Sequence, residues 1–228
     1  MDAFDDDGGG GAVRRSGLRE LILRGRRKGT AKPVGRCELC AAPVAEGHRH
    51  LLDREERVPR CACAPCAVLF DRSPGQGNRY VLIPDRRWRL RDFELDDAVW
   101  ASLAVPVSVL FAYRDSAEGR VMARYPSPAG AVEAAMEPDV WASLEQVNPV
   151  LRHLAADVEA LLVDRRGAAR DAWLVPIDDC HRLVALLRTR WKGLAGGPQV
   201  WSALSGFFAE LRGRAGDVPA RPLRGAPA

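Results

Sequence analysis

Two Cys-x-x-Cys turns, Cys37-Glu38-Leu39-Cys40 and Cys63-Ala64-Pro65-Cys66, constrain this chain more than any other feature. Such a turn delivers two thiolates from one tight loop. Two turns together satisfy a tetrahedral ion that needs four soft or borderline ligands at about 2.0 to 2.3 Å. Small residues and Pro43 follow the first turn, as a tight knuckle requires, and the second runs into Ala67-Val68-Leu69-Phe70, which reads as the start of a helix. Between them, His50 to Asp53 and Glu56 to Pro59 can form a short hairpin around Arg54 and Glu55. Knuckle, hairpin and a second pair at a helix start predict a treble-clef or zinc-ribbon-like module holding Zn2+. A rubredoxin-type Fe centre also uses two pairs, but the glycine-rich surroundings of rubredoxin knuckles are missing here, which favours zinc.

Three nearby residues, Cys61, His48 and His50, are not required by a four-coordinate site. They read as a small buried residue and two surface histidines of the hairpin. Alternatively, one replaces a cysteine ligand, or Cys61 acts as a spare thiol that exchanges with a ligand on oxidation. A thioredoxin-like dithiol at Cys63 and Cys66 would need a preceding strand in a βαβ unit, whereas the residues here are short, polar and interrupted by Pro59. A His-metal nuclease on a treble clef would want His or Asn on the helix, and Ala67 to Phe70 offers neither.

Elsewhere, catalytic signals are missing from the sequence. Gly75 and Gly77 lack the strand, helix and third glycine of a phosphate-binding fingerprint. Cys180 falls on an apolar helix face with Leu183 and Val184, and its neighbour His181 points about 100° away, so the two do not make a Cys-His pair. His153 lies off the face of Leu151 and Leu154 and reads as a surface residue. No catalytic residue is assigned and enzymatic activity is not expected.

Of the 228 residues, 47% are hydrophobic, enough for one main core and a small appended module. The expected division is a disordered acidic, glycine-rich tail and basic segment over 1–35, the four-cysteine module over 36–75, an α+β domain over 76–213, and a flexible tail over 214–228. Within the domain, a strand is expected at 79–83, a hairpin from Val107 to Tyr125, and three C-terminal helices. The helix faces are Leu151, Leu154, Val158, Leu161 and Leu162; Leu183, Leu186, Leu187 and Trp191; and Val200, Leu204, Phe207, Phe208 and Leu211. Ala172 to Ile177, cut by Pro176, reads as an edge strand leading to a helix capped by Asp178 or Asp179. Val-Trp-Ala-Ser-Leu at 99–103 recurs at 140–144, with a looser echo at 200–204, and these read as helix starts whose tryptophans fill the core.

Met1 to Ala12 carries no basic flank followed by an apolar run, so no secretory signal is read there. Six cysteines then belong in a reducing compartment. Apolar stretches such as Val105 to Tyr113 fall short of the roughly 20 residues of a membrane helix. A cytoplasmic protein without membrane contact is expected. The basic residues between Arg14 and Arg36 face only Glu20, which could neutralise phosphates of a nucleic acid, but no interleaved aromatic residues are present to stack on bases.

Several motifs together carry a family resemblance: Cys37-Glu-Leu-Cys40, His48-Arg-His-Leu-Leu-Asp53, Cys61-Ala-Cys-Ala-Pro-Cys66 before Leu69-Phe70, Trp173-Leu-Val-Pro-Ile-Asp178, Trp191-Lys-Gly-Leu-Ala-Gly-Gly197 and Phe207-Phe208. From about Arg36 to Leu211 the chain resembles an uncharacterised actinobacterial family whose genes tend to lie near those of nickel-iron hydrogenases. The resemblance implies an accessory role and a protein partner, either a hydrogenase or one of its maturation proteins. It carries no established activity, so it transfers no catalytic residue. The competing expectation is an electron carrier or thiol redox sensor built on the same cysteines.

Overall fold

The computed structural model describes residues 34–70, 79–192 and 196–221. The expected tail and basic segment before residue 34, the loop containing Gly75 and Gly77, and the last seven residues lie outside the described residues.

The cysteine-rich part is built from short strands. β1 (Gly35–Arg36) and β2 (Pro43–Val44) pair antiparallel and flank the first cysteine turn. β3 (Arg49–Asp53) pairs with both β4 (Val58–Ala62) and β5 (Tyr80–Leu82), so the expected hairpin is present and gains a third strand from beyond residue 75. α1 (Ala64–Phe70) follows β4 almost directly.

A seven-stranded sheet organises the rest. Its strands are β6 (Trp88–Arg91), β7 (Val109–Asp115), β8 (Arg120–Ser127), β9 (Gly130–Glu133), β10 (Glu159–Asp164), β11 (Asp171–Pro176) and β12 (Gly216–Pro219). They lie in the order β12-β6-β11-β10-β7-β8-β9, and only the β12–β6 pair is parallel. One face is covered by α2 (Asp97–Ser102), α3 (Pro138–Val147) and a 3-10 turn at Pro149–His153; the other is covered by α4 (Ile177–Arg190) and α5 (Gly197–Arg214).

Strand alternation sorts the side chains between the two layers. Val109, Phe111 and Tyr113 of β7 face α4 and α5, while Leu110 and Ala112 face α3. On β10, Ala160 and Leu162 oppose Leu161 and Val163, and on β11, Trp173 and Val175 oppose Ala172 and Leu174. The described residues are thus a mixed α+β protein, in which helices sandwich the larger sheet.

Five expectations change. The leucines from 151 to 162 do not form a helix. Pro149–His153 is a 3-10 turn, Asp157 adopts φ 67°, and the chain then enters β10. Every residue of β10 is buried, so it shows neither the period of a strand nor a polar face, and its leucines coincide with helical spacing. Two long C-terminal helices result, not three.

The strand at 171–176 is not an edge: β11 lies between β10 and β6, with Pro176 at its last position, where the missing N–H does not interrupt the interior of the ladder. α4 starts at once, with no side-chain cap bond, and Asp178 and Asp179 occupy its first turn. The flexible tail expected from 214 is interrupted by β12, which pairs with β6 and leads into fully buried Ala220. Of the three repeated tryptophans, Trp141 fills the core and Trp100 is half-buried, but Trp201 is 38% exposed.

Buried carboxylates are answered by arginines, as desolvated charges must be. Asp53 pairs with Arg79, Asp115 with Arg57, Glu159 with Arg86, Asp164 with Arg166 and Asp179 with Arg87. The Arg57–Asp115 pair ties the β3–β4 turn to the end of β7, and the Arg54 guanidinium reinforces the junction by donating to Ser116 Oγ at 2.7 Å. Leu52 and Ile83 complete it by joining the core under α4.

Candidate metal centre

The first cysteine turn closes because Ala41 takes a left-handed conformation at φ 59°. The Ala41 N–H then donates to Cys37 O at 2.8 Å, and the Cys37 N–H donates to Ala42 O at 2.7 Å. Cys63 precedes α1 and Cys66 lies within it, where the Ala67 N–H donates to Cys63 O at 2.9 Å. Cys37, Cys63 and Cys66 are buried among Val44, Leu51, Ala62 and Ala67, while Cys40 stands at the surface.

These turns bring all four sulfurs within 4.8 Å of one another, and Cys40 Sγ lies 3.5 Å from Cys63 Sγ. A disulfide requires about 2.05 Å, and all four cysteines are free. Sulfurs around a tetrahedral ion with bonds of about 2.3 Å sit about 3.8 Å apart, close to the observed spacing. The four thiols can hold a metal ion.

Their electrostatics point the same way. Burial alone would push the Cys37 thiol up, but hydrogen bonds from backbone groups of Cys63, Leu39 and Cys40 outweigh it and lower the group to about 6. Cys66 is pushed up to about 12, first by its contact with Cys40 and then by burial, and Cys40 is raised as well. The Cys37 thiolate forms readily, whereas those of Cys40 and Cys66 are opposed by their neighbours. A cation removes that opposition by taking all four.

Glu38, between the first two cysteines, ties the knuckle to β4. Its N–H donates to Cys61 O at 2.9 Å and its carboxylate accepts from the Cys61 N–H at 2.5 Å. Sequence reasoning assigned Glu38 no role; an acid inside a Cys-x-x-Cys turn was the available signal. Cys61, His48 and His50 gather as a separate cluster of their own, again within 4.8 Å. All three are half-buried, and His50 Nδ1 lies 2.8 Å from the Asp178 carboxylate at the start of α4.

A cavity of about 430 Å³ opens where the β3–β4 hairpin meets the larger sheet, lined in part by Leu52, Phe111, Tyr113, Arg124, Ile177 and His181. Burial pushes the Tyr113 phenol up, and Arg124 Nε is buried without a hydrogen-bond partner. Sequence reading missed this cleft because its walls come from β3, β7, β8 and α4. Cys180 is fully buried in the core while His181 faces the cavity, so the two side chains diverge as their helical positions require.

Among the described residues no helix is long and apolar enough to cross a membrane. No curated protein and no solved structure matches the chain. A family model matches residues 36–215, from the first cysteine turn to the end of α5, and by this match the chain belongs to a family of unknown function, DUF5947.

Proposed function

We propose that this chain is a zinc-binding accessory protein, in which a structural metal braces a protein-interaction surface. The convergence of four free thiols, three of them buried, carries the reading. A site closed by four protein ligands leaves no position for a substrate, which separates structural from catalytic zinc. Zinc is favoured over iron because neither knuckle has the glycine-rich setting of a rubredoxin centre. The order of knuckle, hairpin and helix supports a treble-clef reading of the module.

The braced hairpin forms one wall of the cleft, so metal binding would shape the surface offered to a partner. The expected partner, from the family resemblance, is a nickel-iron hydrogenase or one of its maturation proteins, met in the cytoplasm. Metal analysis and an absorption spectrum of the purified full chain test the first part. Colourless protein containing zinc supports it, whereas iron with thiolate charge-transfer bands would establish the electron-carrier alternative. Affinity purification of the tagged chain from its native host tests the second: co-purification of a hydrogenase or maturation subunit supports it, and its absence under conditions that retain the metal overturns it.

A further inference from the structure

We infer that His48, His50 and Cys61 form a second transition-metal site, distinct from the four-cysteine centre and with an open coordination position. The hairpin register creates it. His50 lies directly opposite Cys61 in the β3–β4 ladder, and His48 precedes His50 by two residues, so the strand period puts all three on one face. That face also carries Leu52 toward α4, whereas Leu51 and Ala62 point into the four-cysteine core. The two clusters therefore occupy opposite sides of one hairpin, with Glu38 of the first cysteine turn holding the Cys61 backbone.

The tautomers are set for metal binding. His48 Nδ1 lies 2.9 Å from the Ala45 carbonyl and must donate its proton there, since a carbonyl only accepts. In the neutral ring that leaves His48 Nε2 with a free lone pair, and this atom is buried with no hydrogen-bond partner. His50 Nδ1 is likewise engaged by Asp178, leaving its Nε2 for an ion. A ring nitrogen oriented by a carbonyl or carboxylate behind it is the usual outer arrangement of a metal-bound histidine. The second oxygen of Asp178, Oδ1, is also buried without a partner, so a negative group already stands behind the cluster.

One ring nitrogen of each histidine and the Cys61 Sγ lie within 4.8 Å of one another, and the two imidazole centroids are 4.7 Å apart. Bonds of about 2.0 to 2.3 Å keep two donors no more than about 4.6 Å apart, so small side-chain rotations close the site. Two imidazoles and one thiolate select a borderline divalent ion of the zinc and cobalt type, and three protein ligands leave the fourth position to water or a small anionic ligand. Since His50 is anchored to Asp178 of α4, an ion here would join the hairpin to the α+β domain.

Cobalt titration of the metal-free full chain tests the site, because Co2+ reports its ligands by its visible spectrum. Wild type is expected to bind two equivalents, one with a four-thiolate spectrum and one with a single-thiolate spectrum. Cys61→Ser and His50→Ala should each remove the second equivalent and leave the four-thiolate spectrum intact, which also shows that the hairpin has folded. Asp178→Asn should weaken the second site by about 10- to 100-fold without changing the saturating stoichiometry. A single equivalent in wild type, or two equivalents retained in Cys61→Ser, overturns the proposal. Neither result touches the four-cysteine reading, whose spectrum is separate.

Discussion

The cysteine module and the α+β domain bury very different cores. Around its cysteines the module fully buries Val44, Leu51, Ala62 and Ala67, with Leu39, Ala42, Phe70, Tyr80 and Leu82 partly buried against them, whereas Phe111 and Trp173 of the larger sheet pack against a layer that includes Phe207 and Phe208 of α5. So small an apolar cluster offsets little of the entropy of ordering its strands, and on the proposed reading bonds from the four thiols to a metal would supply much of the remaining stabilisation. The domain needs no such aid. Two stabilising strategies thus meet at one junction, made by Leu52, Ile83, Arg57 and Asp115.

The largest expected effect separates the two regions. Cys66→Ser, or a strong chelator, should unfold the module while α4 and α5 keep their helical signal, because structural zinc contributes on the order of 10 kcal/mol to small sites. Hydrogen exchange reads this directly; simultaneous loss of protection in β10 and β11 would mean the two regions do not unfold separately. Phe208→Ala should act on the domain instead, lowering its stability by about 3 to 5 kcal/mol in denaturant while metal stays bound.

Arg57→Ala probes the junction. It leaves Asp115, 1% exposed, without its cation. Because the Arg57 side chain is 45% exposed and partly screened, a loss of about 1 to 3 kcal/mol is expected, in both regions together. The pair also predicts a pH dependence. Burial pushes the Asp115 carboxyl up, but Arg57 and the N–H groups of Glu118 and Ala117 outweigh it and hold the group below the usual carboxylate range. A folded value below the unfolded one contributes fully above about pH 4 and is lost as pH falls through the depressed value. The stability difference between wild type and Asp115→Asn should therefore shrink below about pH 4; a constant difference would remove the pair from the account. Trp201→Ala, at a tryptophan 38% exposed whose ring lies 6.4 Å from that of Trp191, should cost less than Phe208→Ala, about 1 kcal/mol.

What could be read in the sequence follows from how local each signal was. The two cysteine turns, the hairpin between them and the faces of α4 and α5 rest on contacts within a few residues or on helical period, and all are present. β10 was misread because its sequence carries no contrast between faces: a strand covered on both sides looks like a buried helix. β6 and β12 are short, and their pairing across nearly the whole domain leaves no local trace. The histidines at 48 and 50 could be noticed, but their meeting with Cys61 depends on the register of the hairpin, which spacing alone does not fix.

The parallel contact between β12 and β6 also sets an order of events during synthesis. β12 follows α5 in the chain, so β6 has no partner on that side until nearly all of the sheet has been made. The thiols of the module emerge much earlier. A nascent chain can therefore bring its four thiols together, ready for a metal ion, while the far edge of the sheet is still open, and the edge that could pair wrongly with another chain is the last to be covered.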